Sequence, residues 1–118
     1  MSYLLLIIEP IGQRATRNRA EGEAAYAVMK AFADELQAEG KLLAVQSLSS
    51  LADAARVEVR AGRTQVVDGP FAEAKEMIGG FFLVDCASRD EAVALAARCP
   101  AAQWATVEVR SLGPCFIN

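Results

Sequence analysis

Residues 66–76 read Val-Val-Asp-Gly-Pro-Phe-Ala-Glu-Ala-Lys-Glu, and residues 79–85 read Gly-Gly-Phe-Phe-Leu-Val-Asp. An apolar strand runs into Asp-Gly-Pro-Phe, and a second apolar strand opens with two glycines after a short charged segment. Turn residues between apolar runs predict strands joined by a tight connection. Just before the motif, residues 56–60 alternate valine with charge, and residues 64–67 return after a turn at 61–63. This pattern predicts a β-hairpin that leads into the motif.

The rest of the chain divides into strands and helices of ordinary length. Asn18 followed by Glu21 has the spacing of a helix capping box, and Ser88 followed by Glu91 repeats it. The predicted elements are strand 2–8, helix 19–39, strand 41–48, hairpin 56–67, strand 79–86, helix 89–99 and strand 106–110. This order, with two similar strand–helix–strand halves, predicts an α+β fold, a ferredoxin-like sandwich carrying an inserted β-hairpin. One domain is expected over residues 1–118.

Two predicted strands are apolar on both faces. Residues 3–8 and residues 81–84 contain no polar side chain except the Tyr3 hydroxyl. Two helices cover only one face of a sheet, so the other face needs a second cover. We expect a homodimer packed sheet to sheet, giving a dimeric α+β barrel. The alternative is that the hairpin or the tail at 113–118 folds over this face.

Composition restricts the class of protein. The formal net charge is −3, which gives no electrostatic reason to expect nucleic acid or an anionic membrane as a partner. The chain contains no histidine. Cys86, Cys99 and Cys115 show no C-x-x-C spacing, so we expect reduced thiols and a cytoplasmic location. No nucleotide or metal motif is present, and we expect no cofactor and no metal site.

The segment at 66–76 together with Gly79, Gly80 and Phe81 resembles the signature of the YCII-related family, in particular its DGPF-domain branch. Residues 3–7, 98–102 and 106–110 agree with that family in position. The resemblance implies a dimeric α+β barrel. Related proteins are proposed to use a His–Asp pair in a cleft; since this chain has no histidine, only Asp68 carries over. Some family members are encoded beside alternative sigma factors, which implies a possible regulatory link.

Asp68 is the candidate catalytic residue. A carboxylate at a strand end, backed by apolar residues, can act as a general acid or base when it is partly desolvated. The alternative is structural, because Asp before Gly-Pro readily accepts hydrogen bonds from the following turn. The predicted ligand-binding set is Tyr3, Asp68, Gly69, Pro70, Phe71 and Lys75, with Lys75 or Tyr3 as an electrostatic helper.

Other polar residues are weaker candidates. Arg14, Arg17 and Arg19 could collect an anion near a helix start, but exposed arginines in a loop are more often without a specific role. Glu9, Gln46 and Trp104 are further residues that a cleft could contain. We interpret each of them first as an edge or interface residue with its polar group satisfied.

The residues favour a small-molecule-binding or accessory regulatory homodimer. The alternative is a cofactor-free enzyme of isomerase or lyase type, with Asp68 as the proton carrier on a small organic substrate. A third hypothesis is an interaction protein without a ligand, its interior filled by Phe71, Phe81 and Phe82. Whether the chain is an enzyme is left open by its residues.

Overall fold

A computed structural model describes residues 1–116 of the chain, so the last two residues of the predicted tail lie outside the described part. The strands are β1 Ser2–Pro10, β2 Leu42–Ser47, β3 Ala55–Arg60, β4 Arg63–Asp68, β5 Glu76–Asp85 and β6 Thr106–Ser111. The helices are α1 Arg19–Ala38 and α2 Arg89–Arg98. Short 3₁₀ turns occupy Arg14–Thr16, Leu51–Asp53 and Pro100–Gln103.

Four strands form one antiparallel sheet in the order β2–β5–β1–β6, and β3 pairs with β4 in a separate two-stranded sheet. The central strand β1 pairs antiparallel with both β5 and β6. Each half of the chain folds in the order strand, helix, strand, and both strands of each half belong to this sheet. The α+β architecture with two helices, consistent with a ferredoxin-like fold, is therefore confirmed. The same ordering puts the hairpin between the two halves, as predicted.

The helix boundaries follow from local chemistry. The Asn18 side chain accepts from the Glu21 backbone N–H, and the Glu21 carboxylate accepts from the Asn18 backbone N–H, completing the predicted capping box. Gly40, at φ +72°, follows the end of α1 in the left-handed conformation that glycine tolerates. At α2 the Ser88 side chain accepts from the Glu91 N–H. Pro100 begins a 3₁₀ turn rather than simply ending the helix.

Strand β5 differs from its prediction at its start. It begins at Glu76 rather than Gly79, so the two glycines lie inside the strand. In the pairing with β1, Ile7 lies opposite Gly80 and Ile8 opposite Ile78, which leaves Gly79 as an extra residue. This is a β-bulge, a feature that glycine inside a strand often marks. The backbone of the neighbouring strand also comes close to Gly80, since a Cβ there would lie 2.7 Å from the Gln46 carbonyl oxygen.

The core lies between the sheet and the two helices. Its largest fully buried side chains are Leu5, Leu36, Val84 and Cys99. Phe32 of α1 meets Phe82 of β5 edge to face, with ring centroids 5.3 Å apart. Along β1, alternate residues are buried from Tyr3 to Glu9, and the residues between them are only half-buried. Both faces of β1 are therefore apolar, but only the face toward the helices is fully buried.

The face of the sheet opposite the helices is incompletely covered. Leu4, Leu6 and Ile8 of β1 and Phe81 and Leu83 of β5 are half-buried on this outer face. Every residue of β3 and β4 is exposed, so the hairpin does not bury itself against this sheet. The radius of gyration is 16.2 Å, against about 13.5 Å for a compact domain of this length. The hairpin therefore projects from the sandwich.

The Asp-Gly-Pro-Phe turn anchors the base of this hairpin. The Gly69 N–H donates to the Ala54 carbonyl at 2.7 Å, and the Gly69–Pro70 peptide bond is cis. A Cβ on Gly69 would overlap the carbonyl oxygen of Leu51. Phe71 is buried, and the Arg56 guanidinium lies 3.8 Å from the centroid of its ring. The motif thus packs two segments of the chain together through its backbone and its aromatic ring.

Candidate functional site

A cavity of about 410 Å³ lies between α1 and the sheet. Its position follows from the residues that α1 turns toward the strands. Near the start of the helix these are small, Gly22 and Ala25, whereas Phe32 and Leu36 fill the corresponding space further along and are 2% and 0% exposed. The small side chains leave the first half of the helix–sheet space open. Small-molecule sites commonly enclose roughly 300–1,000 Å³, so the cavity is large enough for a ligand.

The walls combine an apolar base with charged and aromatic side chains. The apolar part comes from Ile7, Met29, Ala33, Val45 and Phe82. The ionisable and aromatic part comes from Glu9, Arg14, Arg17, Tyr26, Lys30 and Trp104. Few polar groups on a mainly apolar surface are typical of sites that bind and orient small organic molecules.

Glu9 is the buried acid of the cavity. Its residue is 8% exposed, and it follows Tyr3, Leu5 and Ile7 on the helix-facing side of β1. The Arg14 Nε lies 2.6 Å from Glu9 Oε1, and Arg14 Nη2 lies 3.3 Å from Oε2. Charge-assisted bonds of this paired kind hold both side chains in a fixed geometry. The 3₁₀ turn at Arg14–Thr16 brings the arginine back over the end of the strand.

The bulge in β5 makes room for this ion pair. A Cβ on Gly79 would overlap Glu9 Oε2, so any other residue at position 79 would displace the carboxylate. The Gly79 carbonyl accepts from the Leu48 N–H at 2.9 Å and from Arg14 Nη2 at 3.4 Å. One bulged glycine therefore contacts both members of the pair, which explains why the strand carries glycine there.

Trp104 and Arg17 form a second side of the cavity. The Arg17 guanidinium lies 5.5 Å from the centroid of the Trp104 ring, within the range of a cation–π contact. Gln13 Nε2 donates to the Trp104 carbonyl at 2.5 Å, which ties the 3₁₀ turn after β1 to the segment before β6. The indole is half-buried, so one part of it packs in the protein and another faces the cavity.

The residues predicted as a ligand-binding set are not brought together around this cavity. Asp68 and Lys75 are exposed, and Tyr3 is buried in the core at 4% exposure. Gly69 and Pro70 belong to the turn at the hairpin base, where Phe71 borders a second, shallower depression beside Ile8 and Met77. No bound molecule tests a role for any of them, and the roles proposed for Asp68 and its neighbours stay predictions.

From the sequence, the residues of the motif were stronger candidates for a functional site than Glu9, Arg14, Arg17 and Trp104. The sequence could have identified Glu9, because side chains at alternate positions of a strand point to the same face. Glu9 follows Tyr3, Leu5 and Ile7 at this spacing and is the last residue on the buried face of β1. For Arg14 and Trp104 no such signal exists, since both are placed by 3₁₀ turns far apart in sequence.

Several ionisable groups outside the cavity have displaced pKa values. The Lys41 ammonium holds the pKa of Glu91 below its ordinary value, and the Arg98 guanidinium does the same for Glu39. Burial raises the pKa of the Cys99 thiol. Within residues 1–116, no three His, Cys, Asp or Glu side chains come together in a way that could hold a metal ion.

The fold and its cavity define a protein of the α+β class with a ferredoxin-like sheet. The model of the YCII-related domain matches residues 1–115, and the chain belongs to the YCII-related family. The family assignment made from the motif is thereby confirmed, while the narrower DGPF-domain assignment stays a prediction. Neither helix among the described residues is both long enough and apolar enough to cross a membrane.

The chain is similar to one known protein in sequence and to another in fold. An uncharacterized protein of Rhizobium meliloti (strain 1021) is 38% identical over 93 residues, which span 79% of this chain and 75% of that protein. The structure is similar to 5-chloro-2-hydroxyhydroquinone dehydrochlorinase of Burkholderia phenoliruptrix in complex with 2,5-dihydroxybenzoquinone, with a TM-score of 0.56. That similarity covers 96% of this chain and 94% of the other at 19% identity. At this identity it concerns the fold.

Proposed function

We propose that this protein binds a small organic molecule in the cavity between α1 and the sheet. The observation that carries the proposal is the Glu9–Arg14 ion pair in the wall of a 410 Å³ space, where the Glu9 side chain is 11% exposed and the Arg14 side chain 37% exposed. Such pairs seldom stabilise a fold more than apolar residues of the same volume would. A polar pair held beside an open, mainly apolar cavity is better explained by recognition of a ligand.

The test is a thermal-shift screen of the native protein against small metabolites, repeated on two variants. A true cavity ligand raises the Tm of the native protein and of Asp68→Asn, whose side chain is exposed and lies outside the cavity. The same ligand gives a different shift with Glu9→Gln, because this change removes a charge from the cavity wall and keeps its shape. A ligand whose shift is lost only with Asp68→Asn would move the site to the motif and overturn the cavity assignment.

We propose further that the protein is a homodimer joined through the outer face of the sheet. Support comes from the half-buried Leu4, Leu6, Ile8, Phe81 and Leu83, an apolar surface that the hairpin leaves uncovered. An apolar surface of this kind is unusual on a monomer. A second copy, with the same apolar face, is the simplest cover.

Sedimentation equilibrium tests this assembly. We expect the native chain to sediment at twice its 12.6 kDa mass at micromolar concentration. Leu6→Glu places a charge in the centre of the outer face and should give monomers. Val93→Glu is the matched control, because Val93 is 42% exposed on α2, and it should leave the mass unchanged. A monomeric native protein would refute the proposal.

A second candidate function is cofactor-free catalysis of isomerase or lyase type on a small organic substrate. The observation that favours it is again Glu9, a carboxylate in a cavity wall beside a guanidinium, where a base and a cation can act on one substrate. Asp68 was predicted as the proton carrier. Glu9→Gln and Asp68→Asn separate the two: loss of turnover with the first alone assigns the proton transfer to the cavity, and loss with the second alone assigns it to the motif.

A further inference from the structure

We infer that the ligand of this cavity is a small organic acid, with an apolar body and one anionic group. This inference rests on the proposed ligand-binding function and adds to it the chemical class of the ligand. It follows from three features of the cavity walls. These are their net positive charge, two cationic side chains that can accept a new partner, and the apolar surface opposite the cations.

The first feature is net charge. The charged side chains that line the cavity are Glu9, Arg14, Arg17 and Lys30, and three cations against one carboxylate leave a charge of +2. The whole chain carries −3. A positive concavity on a negatively charged protein concentrates field lines and favours entry of anions over cations.

The second feature is that two of these cations can accept a new partner. Arg14 is engaged by Glu9. Among residues 1–116, no carboxylate lies within 4.0 Å of the Arg17 guanidinium, whose contact with the face of Trp104 leaves N–H groups at its edge for a ligand. Lys30 meets Asp34 at 3.6 Å, with both side chains more than two-thirds exposed. An exposed pair of this length contributes little, so Lys30 can exchange Asp34 for a ligand.

The third feature is the apolar base. Ile7, Met29, Val45 and Phe82 line the part of the cavity contributed by the strands and the middle of α1. An inorganic anion would bind the cations and leave this surface unused. A molecule that also covers it removes apolar area from water, worth about 25 cal/mol per Å². An organic acid uses both parts of the cavity.

The experiment compares charged and neutral probes of the same shape by calorimetric titration of the native protein. The pairs are benzoate with benzamide and octanoate with octanamide. We expect each carboxylate to bind at least about tenfold more tightly than its amide, and its affinity to fall as salt is raised. Arg17→Gln and Lys30→Gln should each remove most of this preference. Arg63→Gln on the exposed hairpin is the matched control and should retain it.

Two outcomes distinguish a failure of this inference from a failure of the proposed ligand-binding function. Equal binding of carboxylate and amide, with both weakened by Glu9→Gln, would overturn the organic acid and leave the cavity as a ligand site. If no probe binds at millimolar concentration and no metabolite shifts the Tm, both proposals fail. Arg17→Gln also removes a contact with the Trp104 ring, so its effect can include a movement of the indole. Lys30→Gln leaves that contact in place, so its effect on binding measures the loss of charge alone.

Discussion

The carboxylate of Glu9 occupies the space that a side chain on Gly79 would need. A Cβ built on Gly79 overlaps Glu9 Oε2 and lies 3.1 Å from Arg14 Nη2. Two residues 70 positions apart in the chain are thus coupled through the cavity wall, and this coupling can be measured.

Gly79→Ala should destabilise the protein by about 1–3 kcal/mol, because it displaces Glu9 from a charge-assisted hydrogen bond that is partly withdrawn from water. Urea unfolding followed by circular dichroism measures this change. Gly113→Ala is the control, since a Cβ there meets nothing within 4 Å. In a Glu9→Ala background the cost of Gly79→Ala should fall, because the clashing group is gone. An undiminished cost would mean that the two residues are not coupled.

Gly69→Ala should cost about 1–3 kcal/mol, because a Cβ there meets the Leu51 carbonyl, which is backbone and cannot rotate away. Exchange of the backbone N–H at position 69 should also be faster in this variant, because that N–H donates to the Ala54 carbonyl in the native protein. The neighbouring Asp68→Asn changes an exposed side chain and should alter stability by less than about 0.5 kcal/mol. A larger loss with Asp68→Asn would support the capping role that the sequence suggested for its carboxylate.

Stability should decline in acid partly through Glu91 and Glu39. Lys41 and Arg98 lower the folded-state pKa of these carboxyls from the ordinary value of 4.5. A group whose pKa is lowered on folding stabilises the protein above its unfolded pKa, and this stabilisation is lost as pH falls below about 4.5. Urea midpoints measured across this range should show a weaker acid dependence in Lys41→Gln than in the native protein. Identical pH profiles would exclude the Glu91 contribution.

The three thiols should react at two very different rates. Cys115 is exposed, whereas Cys86 and Cys99 are buried at 3% and 1% exposure. Burial raises the pKa of both buried thiols, which lowers the thiolate fraction available to a disulfide reagent. One thiol per chain should therefore be modified rapidly under native conditions and the other two only after unfolding. Rapid modification of a second thiol would contradict this packing.

The sequence predicted the fold well because the fold depends on local signals. The capping box at Asn18 and the hairpin at residues 56–67 depend only on nearby residues, and the structure has both. The start of β5 was misjudged, because Gly-Gly reads as a strand boundary unless the partner strand is known. Only the pairing with β1 shows that Gly79 is a bulge.

The candidate site was harder to predict, because its members are distant in sequence and its charged side chains all lie outside the conspicuous motif. Trp104 and Arg17 meet only when the chain folds, and the cavity itself is a property of small residues such as Gly22, which attract no attention in a sequence. Asp-Gly-Pro-Phe, by contrast, is easily noticed in the sequence. In the structure its contacts are those of a turn, through Gly69, and of a packed aromatic ring, through Phe71.

The bulge at Gly79 has a consequence for how such a chain can diverge. It already shifts the two ends of β5 by one residue relative to β1, so each end keeps its own alignment with the neighbouring strand. A length change between Phe71 and Glu76 can therefore be absorbed before the glycine. Phe82 and Val84, beyond it, would keep their places in the interior. The segment after the hairpin is in this sense free to vary in length while the walls of the cavity keep their places.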